Sequence, residues 1–450
     1  MTTFRDLLRR LMTEQKLSVR GLAKKANYDA AYVSRVVNGV WDPSRRFARR
    51  LDEVLGADGR LAALGPPEET PDEVPPDAWT PHEVVGEARR LADADLAGPD
   101  RRSRPRPRVL NGPDLLERLE PWITRPVPAP AAPRGAIGPD EVERIEAGAR
   151  LLHRWETRHR LGVRSKAVVG QLAEVVGLLA VPQDPEITGR LFIALAELAK
   201  VAGSMAFDAG HHPVAQEYYR LAVRAAHASG LPRGRLLGAH VLAALARQQL
   251  DLDQPGDALE IVRLALDGAG ADAPPQVRAM LQTRQAWAYA RTGRVQAYHR
   301  AAGLAEEQFD AASDDVPYFA RSFDRAELVG TVGAGYRRLA AVQAASGLDH
   351  RELTARSVRH ISTALELRRP QQARNRAFDL IGLSRSYLLA GERERSVAAV
   401  RDAVAICDTI RSGRAERRLM DWHAEAAPYA DAPVVAAMRA DLAERSRESA

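Results

Sequence analysis

Cysteine is almost absent from this chain: Cys407 is the single one in 450 residues. That excludes an intramolecular disulfide and any cysteine-based zinc cluster, and it fits a reducing cytoplasm. No run of 18 apolar residues occurs, which argues against a membrane span. The opening "MTTFRDLLRRLMTEQ" carries charges inside its apolar pattern, so it does not read as a secretory signal. Phosphate-cradling GxxxxGK[ST], HExxH and G-x-S-x-G patterns are all missing. His153 and His159 lie six residues apart, off metal spacing on a helix, and the His211–His212 pair falls in an expected hairpin turn. Catalytic, metal-binding and cofactor roles are therefore not expected. No window shows sustained period-2 alternation, which disfavours strands.

Charge is present but unevenly placed. Residues 1–60 hold 13 Lys/Arg against 7 Asp/Glu, and the other 390 hold 52 of each sign. The whole net charge of +6 thus sits on a small N-terminal module. A basic module on a neutral body points to a polyanion partner for the module alone.

Proline marks the organisation. Residues 66–139 contain 16 of the 28 prolines, in stretches such as "GPPEETPDEVPP" and "RPVPAPAAPRG". They read as linker, semi-rigid where proline dominates. Two helices interrupt them. "TPHEVVGEARRLADADL" has Thr80 as N-cap, Pro81 at the first helical position and Glu83 three residues after the cap; "GPDLLERLEPWI" is shorter. Residues 140–446 read as helical almost throughout. The expected fold is all-α, with domains at 1–65, 66–139 (linker) and 140–446.

The stretch "LSVRGLAKKANYDAAYVSRVVNG" (Leu17–Gly39) contains two short amphipathic runs on either side of a tight turn. Helices joined so closely meet at a large angle. Leu22, Ala23 and Ala26 on the first and Val33, Val36 and Val37 on the second predict one shared core. Asp29 can cap the second helix, whose outward face then carries Ala30, Ala31, Ser34, Arg35 and Asn38. That face is small and polar, suited to a DNA major groove.

The pattern resembles the Cro/CI-type (XRE, lambda-repressor-like) helix-turn-helix at Leu17, Ser18, Leu22, Ala23, Ala26, Val33, Ser34 and Gly39. It departs at Val19, where the family often has a phosphate-contacting Gln, and at Asn27, where it usually has Gly. The resemblance implies base reading at Ala30, Ala31 and Arg35. The alanines offer only thymine-methyl contacts, so Arg35 and Tyr32 are left to carry readout. Arg20, Lys24, Asn38, Arg45 and Arg46 are expected near phosphates.

A looser repeat follows: a small residue, a turn seven residues on, then small–x3–large–x2–small. It occurs at Gly203/Gly210/Ala215/Tyr219/Ala222, at Ala246/Ala258/Val262/Ala265, at Ala286/Tyr289/Gly293/Ala305 and at Ser384/Tyr387/Gly391/Val400/Ala403. A less regular unit spans Gly330–Leu367. Small residues allow close helix approach, the logic of tetratricopeptide repeats, although the spacing is about 40 residues rather than 34. In such arrays the first helix of each hairpin lines a concave groove. Mapped here, that groove is Lys200, Ser204, Asp208, His240, Arg247, Asp251, Thr283, Trp287, Arg291 and Arg385.

Together the two parts look like actinobacterial regulators with a C-terminal tetratricopeptide domain, and are similar in architecture to the peptide-pheromone receptors of Firmicutes. The resemblance implies a cytoplasmic, homodimeric transcriptional regulator that binds double-stranded DNA and senses a peptide, small molecule or protein. The helical domain and the 80–96 helix are the expected pairing surface. A rival reading is a repeat scaffold whose N-terminal module docks protein.

Overall fold

The computed structural model describes residues 3–26, 30–38, 43, 45–64, 79–97, 108–126, 137–156, 163–311, 316–410 and 412–448. The side chains at 24, 30–32, 35, 45, 46, 154–156 and 163–165 lie outside the described set. The architecture is all-α: the described residues contain no strand. No helix among them is long and apolar enough to cross a membrane. The chain divides into two compact units, Met1–Asp77 with Leu110–Arg118, and Ala78–Val109 with Leu119–Ala450.

The first unit begins with α1 (Phe4–Glu14), α2 (Val19–Ala26), α3 (Ala30–Val37), α4 (Arg45–Leu55) and α5 (Arg60–Leu64). Apolar residues at helical spacing give each a buried stripe. These stripes meet in one core that includes Leu8, Leu11, Leu22, Ala23, Ala26, Val33, Val36, Val37, Phe47 and Leu51. The six core positions expected for the two short helices are all buried in it.

Polar groups finish the helix ends. Ser18 Oγ accepts the Gly21 N–H at 3.1 Å ahead of α2. Three long-range side chains satisfy last-turn carbonyls that a helix cannot pair internally: Arg9 Nε donates to Val37 O (3.1 Å), Arg50 Nε to Ala26 O (3.4 Å) and Gln15 Nε2 to Leu55 O (2.7 Å). Asp52 accepts the N–H groups of Gly59, Leu61 and Ala62 at 2.7, 2.7 and 3.0 Å, anchoring α5 to α4.

The chain continues through α6 (Pro81–Ala97), α7 (Pro113–Leu119), α8 (Pro121–Thr124), α9 (Pro139–Glu156) and α10 (Val163–Leu179). Next come α11 (Pro185–Ala209), α12 (His212–Ala228), α13 (Pro232–Asp251), α14 (Pro255–Ala269), α15 (Pro275–Arg291) and α16 (Val295–Asp310). The last are α17 (Arg325–Ala345), α18 (Arg351–Leu367), α19 (Ala373–Ala390), α20 (Arg393–Ile410), α21 (Gly413–Glu425) and α22 (Pro433–Glu448). Many prolines that punctuate the sequence are helix starters. Pro185, Pro232, Pro255 and Pro275 each open a helix, where a missing N–H costs nothing and φ is already set.

Helices α11 to α20 pair as five consecutive hairpins. Every hairpin turns through a residue with positive φ: Gly210 (87°), Asp253 (59°), Gly293 (68°), Gly347 (68°) and Gly391 (78°). In the four regular units this is the turn position the repeat pattern marks seven residues after its small residue. Close approach uses that small residue. A Cβ at Gly203 would lie 2.9 Å from the Tyr219 ring. In the irregular fourth hairpin Gly333 does the same work, since a Cβ there would meet Ile361 at 2.7 Å, while Gly335 lets α17 approach the preceding hairpin, where a Cβ would lie 2.4 Å from the Tyr298 ring.

The first helices of the hairpins, α11, α13, α15, α17 and α19, stack side by side and continue into α21. The row then curves until α21 returns to α11. Ser412 Oγ donates to Asp208 Oδ1 at 2.9 Å, and Arg414 bonds Asp251 Oδ2 through Nε at 3.3 Å, so α21 is tied to the first two hairpins.

Two segments from the proline-rich region belong to this unit. The Thr80–Glu83 capping box forms as the sequence predicts: Thr80 N–H reaches Glu83 Oε2 at 3.3 Å, and Glu83 N–H reaches Thr80 Oγ1 at 3.4 Å. Val84, Ala88 and Ala92 are buried where α6 packs on α10 and α12. The apolar stripe of α6 is therefore consumed within the unit and is not the pairing surface anticipated for it.

Candidate nucleic-acid interface and arginine-lined cavity

In the first unit, α2 and α3 have eight residues each and are separated by residues 27–29. Asp29, Asn27 and Gly39 lie outside the described residues, as do the side chains of Lys24, Ala30, Ala31, Tyr32, Arg35, Arg45 and Arg46; their positions on α2, α3 and α4 are fixed by the backbone. Val33, Val36 and Val37 face the core. At helical periodicity this turns Ser34 and Asn38 away from it. Ser34 is half-buried and accepts a hydrogen bond from Asn38 Nδ2 at 3.1 Å, while Asn38 and Arg20 are exposed. Val19, where related domains carry a polar residue, packs against the core instead. Sequence reasoning missed Arg9 and Arg50, whose guanidinium groups cap α3 and α2 from 28 and 24 residues away. A cation at a helix C-terminus also complements the helix dipole.

In the second unit, two adjoining cavities of about 260 and about 630 Å³ open along the row of first helices. Arg247, Glu327, Asn375 and Arg414 line both. Of the ten groove positions read from the sequence, Lys200, Ser204, Asp208 and His240 line the larger, Asp251, Trp287, Arg291 and Arg385 the smaller, and Arg247 both. Thr283 lines neither. It is buried, with its hydroxyl on Met280 O at 2.7 Å, and Arg284, one residue on, takes its place.

Several of these groups are committed to partners. Asp208 and Asp251 tie down α21. Arg291 NH2 donates to Asp253 at 2.6 Å. Arg385 holds Glu425 through Nε at 2.7 Å and reaches Asp421 at 3.4 Å. Glu327 accepts an ion pair from Arg368 at 3.0 Å and lies 3.8 Å from Arg247. His240 packs tilted against Phe319, 5.4 Å between ring centroids, and burial, helped by Lys200 and His153, depresses its pKa so that it is neutral.

Cations nevertheless outnumber anions. The smaller cavity is lined by nine arginines and four carboxylates. Burial lowers the pKa of Arg337 to about 9, with Arg385 adding to it, and that of Arg247 to about 10, with Arg284 adding to it. Arg414 and Arg418 are likewise lowered to about 10, chiefly by burial. A guanidinium stays charged in proteins, so the direction reports charged groups that have lost most of their water. Burial works against ionisation of Glu327 too, yet Arg368, Arg247 and Arg284 outweigh it and hold the carboxyl at about 2. Asp379 is pushed up to about 6 by burial despite Arg368 Nε at 2.7 Å.

Arg337, Arg338, Arg417 and Arg418 were not singled out from the sequence. The signal was there in the pairs at 337–338 and 417–418 on α17 and α21, but α21 lies beyond the last recognised repeat.

Residues 3–64 match a protein-family model described as a helix-turn-helix domain. That match and the packing of α1 to α5 make the N-terminal unit a helix-turn-helix domain joined to a helical-repeat-like region. No curated protein matches the chain. A solved structure similar to it is that of BtubC (BKLC) from P. vanneervenii, with a TM-score of 0.30 and 19% identity over 59% of this chain and 90% of that one.

Proposed function

We propose that the protein is a sequence-specific DNA-binding transcriptional regulator. It acts as a homodimer in the cytoplasm, performs no catalysis, and takes a peptide, small-molecule or protein effector in its tetratricopeptide-like region. The observation that carries this reading is the helix-turn-helix domain at residues 3–64 on the part of the chain that holds the entire net positive charge. Phosphate neutralisation supplies affinity and the outward positions of α3 supply specificity. One such head makes few base contacts, and related heads gain specificity by pairing on half-sites about one helical turn apart. The cavities along the row of first helices favour an effector role, because a ligand there bridges hairpins and changes their packing angle. Recovery of bound fragments from a genome tests the reading. Enrichment of a shared, two-fold-related sequence is the expected result, and recovery indistinguishable from random fragments contradicts it.

A further inference from the structure

In the smaller cavity the arginines divide into two groups. Arg291, Arg368, Arg385 and Arg414 each hold a carboxylate within 3.4 Å. Arg337, Arg338, Arg417 and Arg418 line the same space, and none makes an ion pair or hydrogen bond among the described residues. Arg247 has only Glu327, at 3.8 Å, and its Nε is buried without a partner.

Two of these guanidiniums, those of Arg418 and Arg247, rest on aromatic rings. Arg418 stacks over the Phe378 ring at 4.4 Å and Arg247 lies over Trp287 at 5.9 Å. Stacking occupies the face of the planar group and leaves its N–H edge for an acceptor. The edge is the part that fits an oxyanion with two parallel hydrogen bonds.

We propose that this cavity is the binding site of a small, multiply charged oxyanion, held by Arg247, Arg337, Arg338 and Arg418. The proposal deepens the effector-sensing reading above and rests on it. A peptide backbone also needs acceptors for its N–H groups; arginine offers none, and the lining carboxylates Asp251, Glu327, Asp379 and Asp421 are each already paired with an arginine. Burial depresses the pKa of Arg247, Arg337 and Arg418, and at Arg337 the neighbouring Arg385, Arg418 and Arg338 add to it, so an anion that solvates these groups is favoured. The four arginines come from α13, α17 and α21, so a bound anion joins an early hairpin, a middle one and the closing helix. Without it, their mutual repulsion works against closure of the row.

The test is calorimetry on the full-length protein at fixed ionic strength with four probes: sodium tripolyphosphate, adenosine triphosphate, citrate and an acidic peptide. Arg337→Met, Arg418→Met and the double variant are compared with wild type. One-to-one binding of at least one small anion is expected, weakened roughly tenfold or more by each single substitution. The arms separate phosphate from carboxylate sources. Without ligand, Arg337→Met is expected to raise the melting temperature, because it removes a poorly compensated cation. If the double variant fails to fold, Arg337→Lys and Arg418→Lys keep the charge but remove the fork, and weakened binding is still expected. No binding of any small anion, binding unchanged in the variants, or binding of the peptide alone would each overturn the proposal. DNA binding by the same preparations is read separately. Anion binding by a protein with no DNA affinity refutes the regulator reading and leaves the anion site standing, and DNA binding with no anion binding does the reverse.

Discussion

Trp122 shows what a single residue can decide. It comes from the four-residue helix α8, and its indole enters between α13 and α14. Two glycines make the room: an ideal Cβ at Gly238 would lie 2.3 Å from the ring and one at Gly268 only 1.8 Å from Nε1. His227 closes the pocket edge-on, 6.2 Å away between centroids. Gly268→Ala is expected to lower stability by about 1–3 kcal/mol through forced repacking, measured as a drop in denaturation midpoint; an unchanged midpoint would refute the insertion. None of this was legible in the sequence, because each glycine lies more than 100 residues from the tryptophan and Gly in a helix has many explanations. Leu22, Ala26, Val33 and Val36 were legible, because a local 3.6-residue period fixes their face whatever packs on it. The offset at Thr283 has the same origin. A groove position assigned by pattern carries an error of one residue, and one residue turns a helical side chain by about 100°.

At the scale of elements, caps and turns were read best. The α6 capping box and the left-handed turn of each regular hairpin depend on residues close in sequence. What α6 does afterwards was not readable: Glu87 accepts from buried Arg224 at 2.6 Å and Asp95 from Tyr218 at 2.6 Å, 137 and 123 residues away. Burial opposes ionisation of Glu87, but Arg224 outweighs it and lowers its pKa. Glu87→Ala is expected to cost about 3 kcal/mol, since it strips a buried guanidinium of its carboxylate, whereas a loss of only a few tenths would mark α6 as weakly held.

Glu197 on α11 makes a pH-dependent case. Burial lifts its pKa to about 7, and the Tyr318 hydroxyl, Arg233 at 3.5 Å and Arg150 only partly offset this. The folded state then holds a proton that the unfolded state releases near 4.5. This contribution is complete below pH 4.5, falls as pH rises and is gone above about 7. Glu197→Gln should flatten the stability profile over that window and raise stability above pH 7, on the order of 2–3 kcal/mol. Profiles that superimpose would show that Glu197 titrates normally.

For the whole molecule, the sequence placed the net charge on the head but gave no hint that the repeat region closes on itself. Closure depends on α21, whose "GRAERRL" carries no repeat signature, and on contacts such as Ser412 with Asp208 and Arg414 with Asp251, which span 204 and 163 residues. Asp251→Ala removes the carboxylate facing Arg414 and should loosen α21 first, seen as faster amide exchange in 413–425 before global unfolding. Exchange that changes uniformly across the repeats would place the closure contact outside the stability of that helix.

The proposed function of the whole molecule turns on DNA reading by the helix-turn-helix domain. It is tested most directly by measuring affinity of the full-length protein for a recovered genomic fragment and for random DNA across a range of salt, with wild type and Arg35→Ala. A negative slope of log K against log salt of about 0.9 per phosphate contacted is expected. Arg35→Ala is expected to narrow the preference for the fragment by roughly 1–3 kcal/mol while leaving random-DNA binding nearly unchanged. Salt-independent binding, no binding, or equal weakening on both DNAs would contradict it.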